Sequence, residues 1–184
     1  MGIESGNPWL REKVLNRHMS NARIERAFAA CHQAGMKTVS TNMFGLPLEN
    51  TSMVLDTVKT NGRCRPDTIQ VSTFIPYPGT ELFRLCESEG LLEGERVDSI
   101  FEGRSPLRPT SHGWEDGAVK RNFHTLSYLY GKLFDAKPAF AGKLGERILD
   151  ALVLGKCAPA LRRRSFVRLV RWADGRFQPE WIKY

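Results

Sequence analysis

The most constraining feature of this chain is an alternation of strand and helix patterns over its first 92 residues. Strand-like runs occupy Lys37–Phe44 and Asp67–Ile75, and Met1-Gly2-Ile3 has the composition of the end of one more strand. Amphipathic helical patterns separate and follow these runs, and they begin at good capping residues: Asn7, Ser20, Asn50 or Thr51, and Thr80. This order predicts an α/β fold in which helices cover a parallel sheet.

Three loops follow the predicted strands: Glu4–Asn7, Gly45–Asn50 and Pro76–Thr80. The carboxyl ends of parallel strands share one edge of a sheet, and ligand sites of such folds lie there. We therefore expect a nucleotide-sized ligand to contact all three loops.

The first loop places a carboxylate and a hydroxyl, Glu4 and Ser5, between Gly2 and Gly6. A carboxylate at a strand end can accept two hydrogen bonds from a ribose, as acidic residues do in dinucleotide sites. The glycines would let a ligand approach the backbone. A plain helix entry with a solvated glutamate is the alternative.

The other two loops have features that suit a flat base. Gly45, within Met43–Glu49, could bring the backbone close to a ring that packs on apolar neighbours. Phe74–Thr80 holds two prolines and a glycine, so it is a stiff loop that offers carbonyls and the ring of Tyr77. Each segment taken alone is also compatible with a simple Gly/Pro turn.

The segments GIESGN…LNRHMS, NMFGLPLEN and IQVSTFIPYPGT closely resemble the later part of the radical S-adenosylmethionine (SAM) core, particularly its cobalamin-binding branch. The resemblance covers residues 1–92, with the three motifs in the family's order and spacing. It implies the C-terminal portion of a partial (β/α)6 TIM-like barrel, followed by a mainly helical extension.

The resemblance also implies roles for individual residues. Glu4 and Ser5 match the ribose-contacting motif, and Arg17 resembles the arginine that reaches the methionine carboxylate, although a helix-surface arginine is the alternative. The remaining matches surround the adenine: Asn42, Gly45, Pro47, Ile75, Pro76 and Tyr77.

The family resemblance implies that the start of the barrel precedes Met1. A CxxxCxxC loop for a [4Fe–4S] cluster and a cobalamin-binding domain belong to that missing half, supplied in cis or in trans. The chain's own cysteines lack this spacing: Cys31, Cys64, Cys86 and Cys157. We expect a parent enzyme that cleaves SAM reductively, with cobalamin-dependent methyl transfer, and a fragment that holds no catalytic or metal-binding residue and is inactive alone.

A second expectation concerns stability. A chain that begins at the end of the fourth barrel strand would leave the strand at Lys37–Phe44 with an open edge. Residues 1–92 alone are therefore predicted to be marginally stable or prone to aggregation.

The rest of the chain is divided into a linker or lid loop, 93–113, and a helical, basic extension, 114–184. The net charge is +7, and residues 138–184 hold 10 Lys and Arg against 4 Asp and Glu. Leu161–Ala173 is predicted to be a basic amphipathic helix, which suits peripheral contact with an anionic membrane or docking on the domain. Nucleic acid is a weaker candidate because no recognition motif accompanies the arginines.

The alternative function is a non-catalytic half-barrel module with a membrane- or partner-binding basic helix. The sequence has no apolar run of bilayer-spanning length and no signal-peptide layout. We therefore expect a cytoplasmic protein, with peripheral contact at the inner membrane surface through 161–173. The substrate is not identified by the sequence.

Overall fold

The computed structural model describes residues 1–93, 107 and 122–154. The segment Leu161–Ala173, most of the 93–113 connection and Cys157 lie outside the described residues. The elements, in chain order, are β1 (Gly2–Glu4), a π-helical turn (Leu10–Val14), α1 (Asn21–Gln33), β2 (Val39–Phe44), α2 (Thr51–Cys64), β3 (Thr68–Thr73), α3 (Glu81–Ser88), α4 (Phe123–Asp135) and α5 (Ala139–Leu154).

The three strands form one parallel sheet in the order β1-β2-β3. The predicted α/β fold with a parallel sheet is thus confirmed for the described residues. At the start of the sheet, the Asp67 carboxylate accepts a hydrogen bond from Thr38 N at 2.8 Å and contacts Lys37 Nζ at 2.9 Å. The backbone hydrogen bond from Thr38, followed by the contact with Lys37, lowers the pKa of Asp67 to about 2.

The expectation that β2 has an open edge is wrong. β1 pairs with one side of β2 and β3 with the other, so β2 is the central strand. The pairing continues to the first residue, because Thr41 N donates to the Met1 carbonyl at 3.1 Å. The outer strands of the described sheet are β1 and β3.

One face of the sheet is packed against helices. Ile3 lies with Ile24, Phe28 and Cys64, while Phe44 lies with Val54 and Val58. Ile69 and Val71 pack against the same core as Phe44, although the residues of β3 before Thr73 are all partly buried. The opposite face is half-buried and largely polar, with side chains from all three strands: Glu4, Thr41, Met43, Gln70 and Ser72.

The first predicted helix takes an unexpected form. Asn7 acts as its cap, since Asn7 Oδ1 accepts a hydrogen bond from Leu10 N at 3.0 Å. The following turn is π-helical rather than α-helical, because Leu15 N donates to the carbonyl of Leu10 at 2.9 Å. The sequence places Trp9, Leu10 and Val14 on one apolar stripe of this helix; Leu10 and Val14 are buried, whereas Trp9 is 44% exposed.

The C-terminal helices extend the same core. Phe123, Leu126 and Tyr130 of α4 are buried against α2, and Val153 of α5 joins them. Lys59 of α2 contacts Glu146 at 2.9 Å and Asp150 at 2.7 Å, which ties α5 to α2. Among the described segments, we find no helix that combines the length and the apolar character needed to cross a membrane.

The crossing of α2 and α4 depends on two glycines. A Cβ at Gly62 would lie 2.9 Å from the Ser127 carbonyl oxygen and 3.0 Å from Gly131 N, both of which are backbone atoms of α4. We expect Gly62→Ala to force the helices apart and to lower the free energy of unfolding by about 2 kcal/mol. Urea denaturation of the full chain measures this, with Ala22→Gly on the exposed side of α1 as a control for helix propensity. Helix propensity alone would make Gly62→Ala more stable by about the amount that the control loses, so a free energy of unfolding that does not fall would contradict the close crossing.

Candidate functional site

The loops after the three strands meet at the carboxyl edge of the sheet. One buried apolar cluster joins the three loops. It contains Leu10, which follows the first loop, Leu46 of the second loop, and Phe74, which follows β3. The other buried residues of this cluster are Val14, Cys86 of α3, Leu91 and Leu107. The predicted gathering of the three loops at one edge is therefore present in the structure.

Glu4 and Arg17 lie together on the polar face of the sheet. Glu4 Oε1 is 3.3 Å from Arg17 Nη1 and accepts a hydrogen bond from Thr41 Oγ1 at 3.1 Å. Arg17 Nη2 also donates to the carbonyl of Gly2 at 3.3 Å. The Glu4 side chain is 16% exposed and the Arg17 side chain 34%, so both are accessible at this edge.

The second carboxylate oxygen of Glu4, Oε2, has no partner among the described residues. Glu4 has a φ of 58°, an uncommon backbone conformation for a residue with a side chain. Strain of this kind concentrates at functional sites, where the surrounding structure holds the residue in place.

The side chain of Ser5 is buried and does not lie on the polar face beside the Glu4 carboxylate. Its Oγ accepts a hydrogen bond from Asn7 N at 3.2 Å. The carbonyl of Ser5 accepts a hydrogen bond from Arg11 Nη1 at 2.7 Å. In this arrangement Ser5 shapes the loop that presents Glu4.

The expectation that Gly6 opens the backbone to a ligand needs correction. A Cβ at Gly6 would lie 2.3 Å from the carbonyl oxygen of Asp56 and 2.5 Å from Thr57 Cα, both in the backbone of α2. Gly6 N also donates to Thr57 Oγ1 at 2.8 Å. Glycine is therefore required here for packing against α2. At Gly2, the position of a Cβ is instead occupied by the Glu4 carboxylate, 2.2 Å away.

Asn42 lies on the helix-covered face, opposite to Thr41. Its Nδ2 donates to Ser40 Oγ at 3.2 Å and to the carbonyl of Gln70 at 3.1 Å, and its Oδ1 accepts from Asn61 Nδ2 at 2.7 Å. The side chain is 1% exposed, and its amide group is fully engaged by the protein. The structure does not bring this side chain together with Glu4 and Arg17.

The turn after β2 is organised by Glu49, which the sequence patterns did not single out as a site residue. Gly45, with a φ of 88°, and Pro47 are both buried here. Glu49 Oε2 accepts hydrogen bonds from Gly45 N at 2.6 Å and Leu46 N at 3.3 Å. These backbone amides are therefore occupied by the protein's own carboxylate.

Glu49 is itself unusual in its burial. It is 1% exposed, and no hydrogen-bond partner for its Oε1 lies among the residues that the structure describes. Burial raises the pKa of Glu49 to about 7, although the hydrogen bonds from Gly45 and Leu46 act in the opposite direction. The only sequence signal of this role is a carboxylate four residues after the glycine of a Gly-Leu-Pro turn.

The third loop combines buried and exposed residues. Ile75 is 4% exposed and Pro76 is buried, whereas Tyr77 is 51% exposed. Phe74 N makes the last backbone bond to β2, donating to the Phe44 carbonyl at 2.8 Å. In residues 1–93, 107 and 122–154, no backbone partner is found for the amide and carbonyl of Ile75.

Arg11 is a buried arginine, and the sequence did not predict its burial. It is 1% exposed and binds only carbonyls: that of Ser5 through Nη1, and that of Met19 through Nε and Nη2. Burial, followed by the nearby positive charge of Arg17, lowers the pKa of Arg11. In the sequence Arg11 is indistinguishable from a surface arginine.

The described cysteines are free thiols. Burial raises the pKa of Cys64 to about 12 and that of Cys86 to about 11, so both are protonated at neutral pH. No cluster of three or more His, Cys, Asp or Glu suited to a metal ion occurs in the portions of the chain that the structure describes.

The site is therefore a half-buried polar patch of Glu4, Arg17 and Thr41 beside an apolar cluster at the carboxyl edge of a parallel sheet. No protein-family model matches the chain, and no curated protein matches it significantly.

Proposed function

We propose that this chain is the C-terminal half of a radical SAM core of the cobalamin-binding branch and that it contributes to binding SAM. The observation that carries the proposal is the Glu4 carboxylate, which is anchored through Oε1 while Oε2 has no partner among the described residues. The sequence resemblance independently assigns this residue to the ribose.

The residues at the carboxyl edge fit the parts of this cofactor. The Glu4 carboxylate suits the ribose hydroxyls, and the Arg17 guanidinium suits the methionine carboxylate. The backbone amide and carbonyl of Ile75, which have no backbone partner in the described segments, match the donor and acceptor of an adenine edge. When SAM is bound, its methionine carboxylate would replace Glu4 as the partner of one Arg17 nitrogen. Glu4 would then bind the ribose and Arg17 the methionine carboxylate.

The cofactors carry the chemistry of this family: SAM is cleaved reductively at a [4Fe–4S] cluster, with cobalamin-dependent methyl transfer in this branch. The proposal assigns the cluster and the cobalamin to the N-terminal half of the parent, in cis or in trans. The described residues position the nucleoside. Gly45 and Pro47, with Glu49 behind them, shape the apolar wall beside it.

Glu4→Gln tests the proposal. The amide keeps a hydrogen bond to Thr41 but removes the negative charge that would accept two ribose hydroxyls. We expect SAM to raise the melting temperature of the full wild-type chain, and we expect Glu4→Gln to weaken its affinity by about tenfold. Isothermal titration calorimetry measures the affinity.

Glu87→Gln on the exposed side of α3 is the matched control, and its affinity should equal that of the wild type. Equal affinities of Glu4→Gln and the wild type would contradict the ribose assignment. A folded full chain that gains no stability from SAM would favour the alternative, a non-catalytic half-barrel module.

A further inference from the structure

Helix α5 presents an apolar stripe away from the core. Large apolar side chains recur at every fourth residue, with exposed fractions of 71% for Phe140, 57% for Leu144, 53% for Ile148 and 38% for Leu152. Residues four apart lie on one face of a helix, so the stripe is continuous over about 18 Å. Exposed apolar residues that line up in this way mark an interaction surface.

The charges of α5 are separated between its two sides. Lys143 and Arg147 are exposed and lie three residues after Phe140 and Leu144, at the border of the stripe. Both acidic residues, Glu146 and Asp150, are half-buried and bound to Lys59 of α2. On the exposed side of α5, the apolar side chains are therefore accompanied by positively charged residues and by no acidic residue of the helix.

Packing on the inner side fixes which side faces outward. Val153 is buried in the core with α2 and α4, and a Cβ on Gly142 would lie 2.3 Å from the Leu133 carbonyl oxygen. Tyr130 Oη donates to Asp150 Oδ1 at 2.7 Å, close to the Lys59 contacts. Because these contacts hold α5 from one side, the helix cannot turn its apolar stripe inward without breaking them.

We propose that α5 lies in the interface of an anionic lipid bilayer, with Phe140, Leu144 and Ile148 inserted between the headgroups and Lys143 and Arg147 at the phosphate level. An apolar stripe bordered by long cationic side chains is the pattern of helices that bind in the plane of a membrane. Charge complementarity selects anionic lipid over a neutral surface. The sequence that follows α5 adds to this attraction, since residues 155–184 hold 8 Lys and Arg against 2 Asp and Glu.

Vesicle co-sedimentation of the full chain tests the proposal. The probes are vesicles of phosphatidylcholine alone and vesicles with one third phosphatidylglycerol. We expect binding to the anionic vesicles only, weakened at high salt, and a loss of about tenfold in affinity for Leu144→Ser/Ile148→Ser. Both replaced side chains are more than half exposed, so the variant should fold like the wild type, which circular dichroism checks.

Met36→Ser is the matched control, because Met36 is 53% exposed on another surface and its loss should leave vesicle binding unchanged. Three outcomes would overturn the proposal. In the first, the double variant binds anionic vesicles as tightly as the wild type. In the second, the wild type binds neither kind of vesicle. In the third, light scattering finds that the wild type is a dimer and the double variant a monomer, while both bind lipid equally. This result would mean that a second copy of the chain covers the stripe.

Discussion

Gly6→Ala is expected to lower the free energy of unfolding by about 3 kcal/mol, the upper range of the overpacking penalty. The added methyl group would overlap the α2 backbone at Asp56 and Thr57, with separations of 2.3 to 2.6 Å. Backbone atoms of a buried helix cannot move aside as a flexible side chain can. The loop would have to shift, and the hydrogen bond from Gly6 N to Thr57 Oγ1 would be lost. Denaturant unfolding of the full chain measures the change.

Gly79→Ala separates this packing effect from the backbone freedom of glycine. Gly79 has a φ of 87°, which disfavours a side chain, yet a Cβ there meets no atom within 4 Å. We expect this control to cost about 1 kcal/mol. If both variants lost the same unfolding free energy, the close contact between Gly6 and α2 would not be what makes Gly6→Ala destabilising.

Glu49→Gln is expected to change how stability depends on pH. The pKa of Glu49 is about 7 in the folded chain and about 4.3 in an unfolded one, so folding favours the protonated form. The contribution of Glu49 to stability is therefore complete below about pH 4 and is lost as the pH rises through 7, by about 4 kcal/mol in all. Glutamine does not titrate, so its contribution stays constant.

The measurable quantity is the difference in unfolding free energy between the wild type and Glu49→Gln at several pH values. This difference should fall by about 3 kcal/mol from pH 4 to pH 8. Glu87→Gln, an exposed carboxylate on α3, controls for the loss of a charge. A difference that does not vary with pH would mean that Glu49 is not desolvated by the surrounding turn.

Local features of the fold were predictable because short stretches of sequence determine them. Ser20, Asn50 and Thr80 each accept the capping hydrogen bond from the third residue of their helix, as predicted. Gly35 ends α1 with a φ of 71°. The same kind of signal was misleading in α2: Asn61-Gly62 predicts its end, yet the helix continues to Cys64 and ends where Arg65 is left-handed.

Features that depend on tertiary contacts were less accessible. Ser40, Thr41 and Asn42 are all polar, so hydrophobicity could not indicate which of them face the helices and which lies beside Glu4. Gly2 and Gly6 flank one motif symmetrically, yet only Gly6 is limited by a neighbouring helix backbone. Burial of Arg11 and Glu49 follows from loop geometry, for which no periodic pattern exists. No sequence pattern indicated that Arg17 contacts Glu4, because the two residues are 13 positions apart in different elements.

Helix α2 limits how this sequence can diverge over evolution. Of its 14 residues only Ser52 and Arg63 are exposed, and its buried positions contact β2, α4, α5 and the loop at Gly6. A substitution in α2 therefore requires compensating changes in several elements at once. Neutral drift should accumulate instead on helices such as α1, where only Ile24 and Phe28 are buried. Distant relatives of this chain should accordingly be recognised by α2 and the strand-end motifs before any other segment.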